Sequence, residues 1–104
     1  MPEEVIDLIG YALHLAQIGR KHPQAKPLRG FGGTGVVEIV EDHRGDTYRA
    51  VYTTQIAGSI YVLHCFQKKS THGISTPKHE IETITARLRA ARLHAQGDRD
   101  DSND

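Results

Sequence analysis

Cysteine is nearly absent from this chain of 104 residues, with Cys65 standing alone. A single thiol excludes a disulfide framework and any structural zinc site built on several cysteines. No apolar run approaches the roughly 20 residues that cross a bilayer as a helix, so no membrane span is expected. The opening Met1-Pro2-Glu3-Glu4 lacks the basic start of a secretory signal. These absences lead to the expectation of a cytoplasmic protein. The seven histidines include no H-E-x-x-H and no other close ligand spacing, so neither a metal nor a cofactor is expected.

Net charge is also lacking: 13 Lys and Arg balance 13 Asp and Glu. The balance is a sum of unlike segments. Residues 1–19 carry −3, residues 20–96 carry +6 and residues 97–104 carry −3, so two acidic ends flank a basic body.

The hydropathy pattern predicts an α+β domain. Val5, Leu8, Ile9, Ala12, Leu13 and Ala16 fall on one face of a 3.6-residue period, predicting an amphipathic helix over 3–18 that closes at Gly19. A loop over 20–35 contains Pro23, Pro27 and four glycines. Val36–Val40, Thr47–Thr53 and Ile60–Phe66 are rich in Val, Ile, Tyr and Thr and predict a three-stranded antiparallel β-meander. The segment Glu41-Asp42-His43-Arg44-Gly45-Asp46 supplies one turn and Ala57-Gly58-Ser59 another. Thr76 as N-cap and Pro77 at the first helical position predict a C-terminal helix running to about Ala95. Residues 1–96 thus make a single domain. The acidic tail, 97–104, has no apolar anchor and is expected to be disordered.

Several motifs carry less than they suggest. Gly30-Phe31-Gly32-Gly33-Thr34-Gly35 matches G-x-G-x-x-G, but it follows a loop and opens a strand, the reverse of a dinucleotide-binding turn. Arg44-Gly45-Asp46 reads as turn chemistry. Cys65 alternates with Tyr61 and Leu63 and is expected in the core. Arg87, Arg89 and Arg92 read as a solvated helix face. Arg49 stands apart, because it lies mid-strand on the face of Thr47, Val51 and Thr53. Lys68, Lys69 and Lys78 follow in the next elements, with Tyr48 and Tyr52 close by. Cations beside aromatic rings suit contacts to a phosphate backbone and to bases.

Three stretches carry a resemblance: Thr47-Tyr48-Arg49-Ala50-Val51-Tyr52, Ile60-Tyr61-Val62-Leu63-His64-Cys65-Phe66-Gln67-Lys68-Lys69, and Thr76-Pro77-Lys78. A Y-R-x-x-Y strand, a strand ending in F-x-K-K and a T-P-K helix start resemble the phage-derived, HigB-like branch of the RelE/ParE toxin superfamily. The resemblance covers residues 1 to about 95. It implies a RelE-like fold and the toxin half of a type II toxin–antitoxin pair. The activity implied is ribosome-dependent, metal-independent cleavage of mRNA, blocked by a helix-turn-helix antitoxin. The superfamily also contains proteins that bind DNA gyrase, and a catalytically inactive relative that only binds its antitoxin is a further alternative. By this resemblance Arg49 would clamp phosphate, and Lys68 and Lys69 would stabilise charge. His64, alternating with Ile60, Val62 and Phe66, reads either as an acid or base or as a packed core histidine. Lys78 and Tyr52 would contact RNA, Tyr52 reading also as a core residue against the helices. Two departures accompany it. Relatives begin with a β-strand that this sequence lacks, which would expose a sheet edge that a homodimer could cover. Glu38-Ile39-Val40 stands where many relatives have E-[LI]-R.

Overall fold

A computed structural model of the chain describes residues 1–69 and 76–102. The elements are α1 (Glu3–Gln17), β1 (Lys26–Pro27), β2 (Val36–His43), β3 (Asp46–Thr53), β4 (Val62–Lys69) and α2 (Lys78–Ser102). The four strands form one antiparallel sheet in the order β1-β2-β3-β4. The helices cover its two faces. Val5, Ile9, Ala12 and Ala16 of α1 pack on Val37, Ile39, Tyr48, Ala50 and Tyr52, whereas Ile84, Leu88 and Ala91 of α2 pack on Val36, Val51 and Leu63. The α+β class stands, and its layers are helix, sheet, helix.

Local chemistry accounts for the boundaries. The carbonyl of Pro2 accepts from the amides of Val5 and Ile6 and starts α1. At its other end Gly19 adopts φ +78°, and the amides of Gly19 and Arg20 return to the carbonyls of Ala16 and Leu15. This double return is the Schellman closure that a left-handed glycine permits. Between β2 and β3 the chain reverses in two residues, Arg44 (φ 51°) and Gly45 (φ 87°), with His43 paired to Asp46. Two successive positive φ values match the twist of the flanking strands, so pairing continues to the hairpin tip.

Four differences from the sequence reading have physical causes. The sheet has four strands rather than three, because Lys26–Pro27 pairs with Glu38 and Val37. A two-residue strand containing proline leaves no periodic signal, and proline is tolerated only because β1 lies at the edge. The first and third meander strands shift or lengthen, β2 reaching His43 and β4 running Val62–Lys69. Cys65 is exposed, not core. His64 pairs with Val51 and Val62 with Tyr52, leaving Leu63 as an extra residue in a bulge. The bulge breaks the alternation that had grouped Cys65 with Leu63. Leu63 and His64 both meet α2, while Cys65 falls on the other face, where α1 packs on β2 and β3. Finally, α2 begins one residue later than expected and continues through Gly97 to Ser102. An interior glycine costs a helix only about 1 kcal/mol and need not stop it.

Candidate functional site

The α2-facing side of the sheet carries the charged residues. Arg49 is 5 % exposed and Glu38 6 %, unusual burial for either type. They occupy neighbouring strands one step apart in register, since Glu38 pairs with Val51 and Val40 with Arg49. The Arg49 Nη1 donates to Glu38 Oε2 at 3.3 Å and to the hydroxyl of Thr76, just before α2, at 3.0 Å. Lys26 Nζ of β1 lies 3.8 Å from the other Glu38 oxygen. One carboxylate therefore holds two cations from two strands. Arg49, Glu38 and Thr76 form a wall of a cleft of about 480 Å³, bounded also by Leu28, Arg29, Phe31, Ile81 and Thr85. With Arg29 and Arg49 against Glu38, the charge of the described lining is positive.

A second polar cluster ties β4 to α2. His64 Nε2 is bonded to Glu80 Oε2, and Glu80 Oε1 lies 2.9 Å from His79 Nε2. The Arg87 Nη1 donates to the Leu63 carbonyl and to His64 Nδ1, both at 2.9 Å. Arginine has no acceptor, so His64 Nδ1 must accept and Nε2 must carry the proton that faces Glu80. The ring also stacks on Phe66 with centroids 4.9 Å apart. Both nitrogens of His64 are thus engaged in holding α2 against the sheet.

The expected site residues divide between faces. Arg49 and His64 share the α2 side, with Arg49 opposite Phe66 and Val51 opposite His64. The backbones of Lys68 and Lys69 pair with Thr47 and Asp46. Lys78 is exposed at the start of α2. Tyr52 lies on the α1 side, 2 % exposed, and burial pushes its phenol pKa above the usual 10.0. Its partner in sequence, Tyr48, is buried on that side too. Cys65, though exposed, is crowded enough that burial raises its thiol pKa, against an opposing pull from Arg87.

Sequence reading missed Glu38, Thr76, Glu80 and Arg87 as partners. A signal for Glu38 existed, because a two-residue turn at Arg44-Gly45 fixes the register and places Glu38 diagonal to Arg49. No comparable signal ties Glu80 and Arg87 to His64, since β4 and α2 approach only in three dimensions. Among the described residues no group of three or more His, Cys, Asp or Glu could hold a metal ion. No helix among them is long and apolar enough to cross a membrane.

The fold and cleft define a class: a small helix–sheet–helix protein with a buried arginine anchored in the wall of a basic groove. The chain belongs to the phage-derived Gp49-like protein family (DUF891), whose family model matches residues 1–89. The match takes in α1, all four strands and the first half of α2. No curated protein and no solved structure matches the chain.

Proposed function

We propose that this protein is the toxin of a type II toxin–antitoxin pair and a ribosome-dependent, metal-independent mRNA endoribonuclease. Its partners would be a helix-turn-helix antitoxin, the ribosome and mRNA. The observation that carries this reading is Arg49, a guanidinium fixed in the wall of a positively charged cleft in a chain of the Gp49-like family. In the proposed reaction the ribose 2′-oxygen attacks the adjacent phosphorus and the bond to the 5′-oxygen breaks. The 2′-hydroxyl proton leaves to a base and the departing 5′-oxygen receives one. Arg49, with a planar and permanently charged fork, binds the phosphoryl oxygens as negative charge develops. Lys68 and Lys69 supply further positive charge, and one of them protonates the leaving oxygen. Lys78 contacts the RNA backbone. His64 can serve as acid or base only by releasing Glu80 or Arg87, so its first role is to hold α2 in place.

That same engagement of both His64 nitrogens favours a second reading, a non-cleaving binder of gyrase or of the antitoxin alone. The two separate in a reconstituted translation reaction with a defined mRNA, read by primer extension. The nuclease reading expects new 5′ ends only when ribosomes translate, and their loss in Arg49→Gln with the circular dichroism spectrum unchanged. Intact mRNA with the wild-type protein on translating ribosomes would sink it. Inhibition of gyrase supercoiling by the same preparation would establish the gyrase reading.

A further inference from the structure

A second cavity lies on the opposite side of the sheet from Arg49. It measures about 410 Å³ and is lined by Ala16, Gly19, Arg20, Lys21, Val37, Tyr52, Thr54 and Gln55. Val37 and Glu38 are consecutive in β2, so this cavity and the Arg49 cleft face away from each other. Its inner wall is apolar, built from Ala16, Val37 and Tyr52, which belong to the core beneath α1. Its mouth carries two exposed cations, Arg20 and Lys21, and none of the described residues lining it is acidic.

The mouth is preformed. The closure of α1 holds Arg20 by its amide, which donates to the Leu15 carbonyl at 2.7 Å. The Gln55 side chain donates to the Gln17 carbonyl at 2.8 Å and ties the segment after β3 to the end of α1. The Thr54 amide is held by the Gly35 carbonyl at 2.8 Å. An apolar recess under two exposed cations suits a ligand that joins a flat ring to an anion. The volume lies in the range of small-molecule pockets, roughly 300–1,000 Å³. Tyr52, almost wholly buried, lines the recess beside Ala16 and Val37, against which the ring of such a ligand would pack.

We infer that this cavity binds one nucleotide of single-stranded RNA, its base in the recess and its phosphate between Arg20 and Lys21. Strand and cleft then lie on opposite sides of the sheet, so the cavity anchors RNA away from the cleft. The inference rests on the proposed function for the choice of an RNA strand as the source of the nucleotide. The pocket itself is tested without ribosomes or cleavage.

Amide shifts of the ¹⁵N-labelled full chain are followed with three probes: inorganic phosphate, uridine 5′-monophosphate and hexauridylate. The inference expects the two nucleotide probes to move Gly19, Thr54 and Gln55. Arg20→Gln/Lys21→Gln, at exposed positions, is expected to weaken hexauridylate binding by about tenfold or more. Its log–log salt slope should fall by about 0.7, for the one phosphate neutralised on a single strand. The swap Arg20→Lys/Lys21→Arg should keep most of the affinity. Binding of the monophosphate alone would assign the pocket to a free nucleotide, and binding of the hexamer as well assigns it to RNA. Phosphate binding as tightly as the nucleotides would overturn the recess as a base site. Shifts confined to Leu28, Phe31 and Thr76, or full affinity in the Gln double variant, would overturn the pocket. A protein that passes these tests yet leaves mRNA whole keeps the pocket and loses the nuclease reading.

Discussion

Replacing Glu38 by Met removes one member of a buried ion pair and leaves the other in place. The pair is 3.3 Å apart, with both side chains 7 % exposed. Breaking such a pair costs about 3–5 kcal/mol, because a charge remains buried without its counterion. Two features point to the low end of that range. The Arg49 guanidinium keeps the Thr76 hydroxyl, and the adjoining cleft admits water. A loss of about 3 kcal/mol corresponds to roughly 15 °C in Tm for a domain of this size. It is also a large share of the roughly 5–15 kcal/mol that holds a domain folded. Arg49→Met should cost less than Glu38→Met, because Glu38 then retains Lys26 at 3.8 Å. The double variant Glu38→Met/Arg49→Met should lie near wild type or above it, since no buried charge is stranded. Urea unfolding followed by circular dichroism, run as a double-mutant cycle, measures all three. A Glu38→Met cost below about 0.5 kcal/mol, as for an exposed pair, would refute the reasoning. It would mean that Arg49 is solvated and the pair is not part of the cleft wall.

Gly35 holds φ +78°, and a Cβ there would stand 2.6 Å from Thr54 Oγ1, so Gly35→Ala should destabilise by about 2 kcal/mol in the same urea assay. Tyr52 has its phenol pKa raised by burial, so the folded state keeps a proton that the unfolded chain loses near pH 10.0. Its contribution is complete below that pH and is lost as pH rises through the folded value; Tyr52→Phe should unfold less steeply with pH above about 10, read from alkaline melts. Burial raises the Cys65 pKa above 9.0 while Arg87 lowers it, so iodoacetamide should label the folded protein more slowly than a free thiol at neutral pH. Arg87→Gln should slow labelling further, and faster labelling would contradict the electrostatic account.

Sequence by itself determined the parts whose signals are local. The apolar stripe from Val5 to Ala16 specifies α1, and Gly19 ends it because only a left-handed residue closes the helix there. The β-branched runs specify the three long strands, and Arg44-Gly45 specifies the hairpin between two of them. Alternation put Arg49 with Thr47, Val51 and Thr53, whereas Tyr48 and Tyr52, expected beside it, lie on the α1 side of the sheet. The motifs at strand ends and a helix start pointed to a phage-derived family, and the Gp49-like family model matches residues 1–89. Tertiary structure decided what those residues touch. The bulge at Leu63 arises from pairing between β3 and β4 and separates Cys65 from Leu63, while α1 packs on β2 and β3 and leaves Cys65 exposed. A two-residue β1 exists only because β2 offers it an edge. The zero net charge met at the start concealed two basic concavities on opposite faces of the sheet. Charge can be counted along a chain, but burial, pairing and the face on which a cation lies are set by packing between segments far apart in sequence.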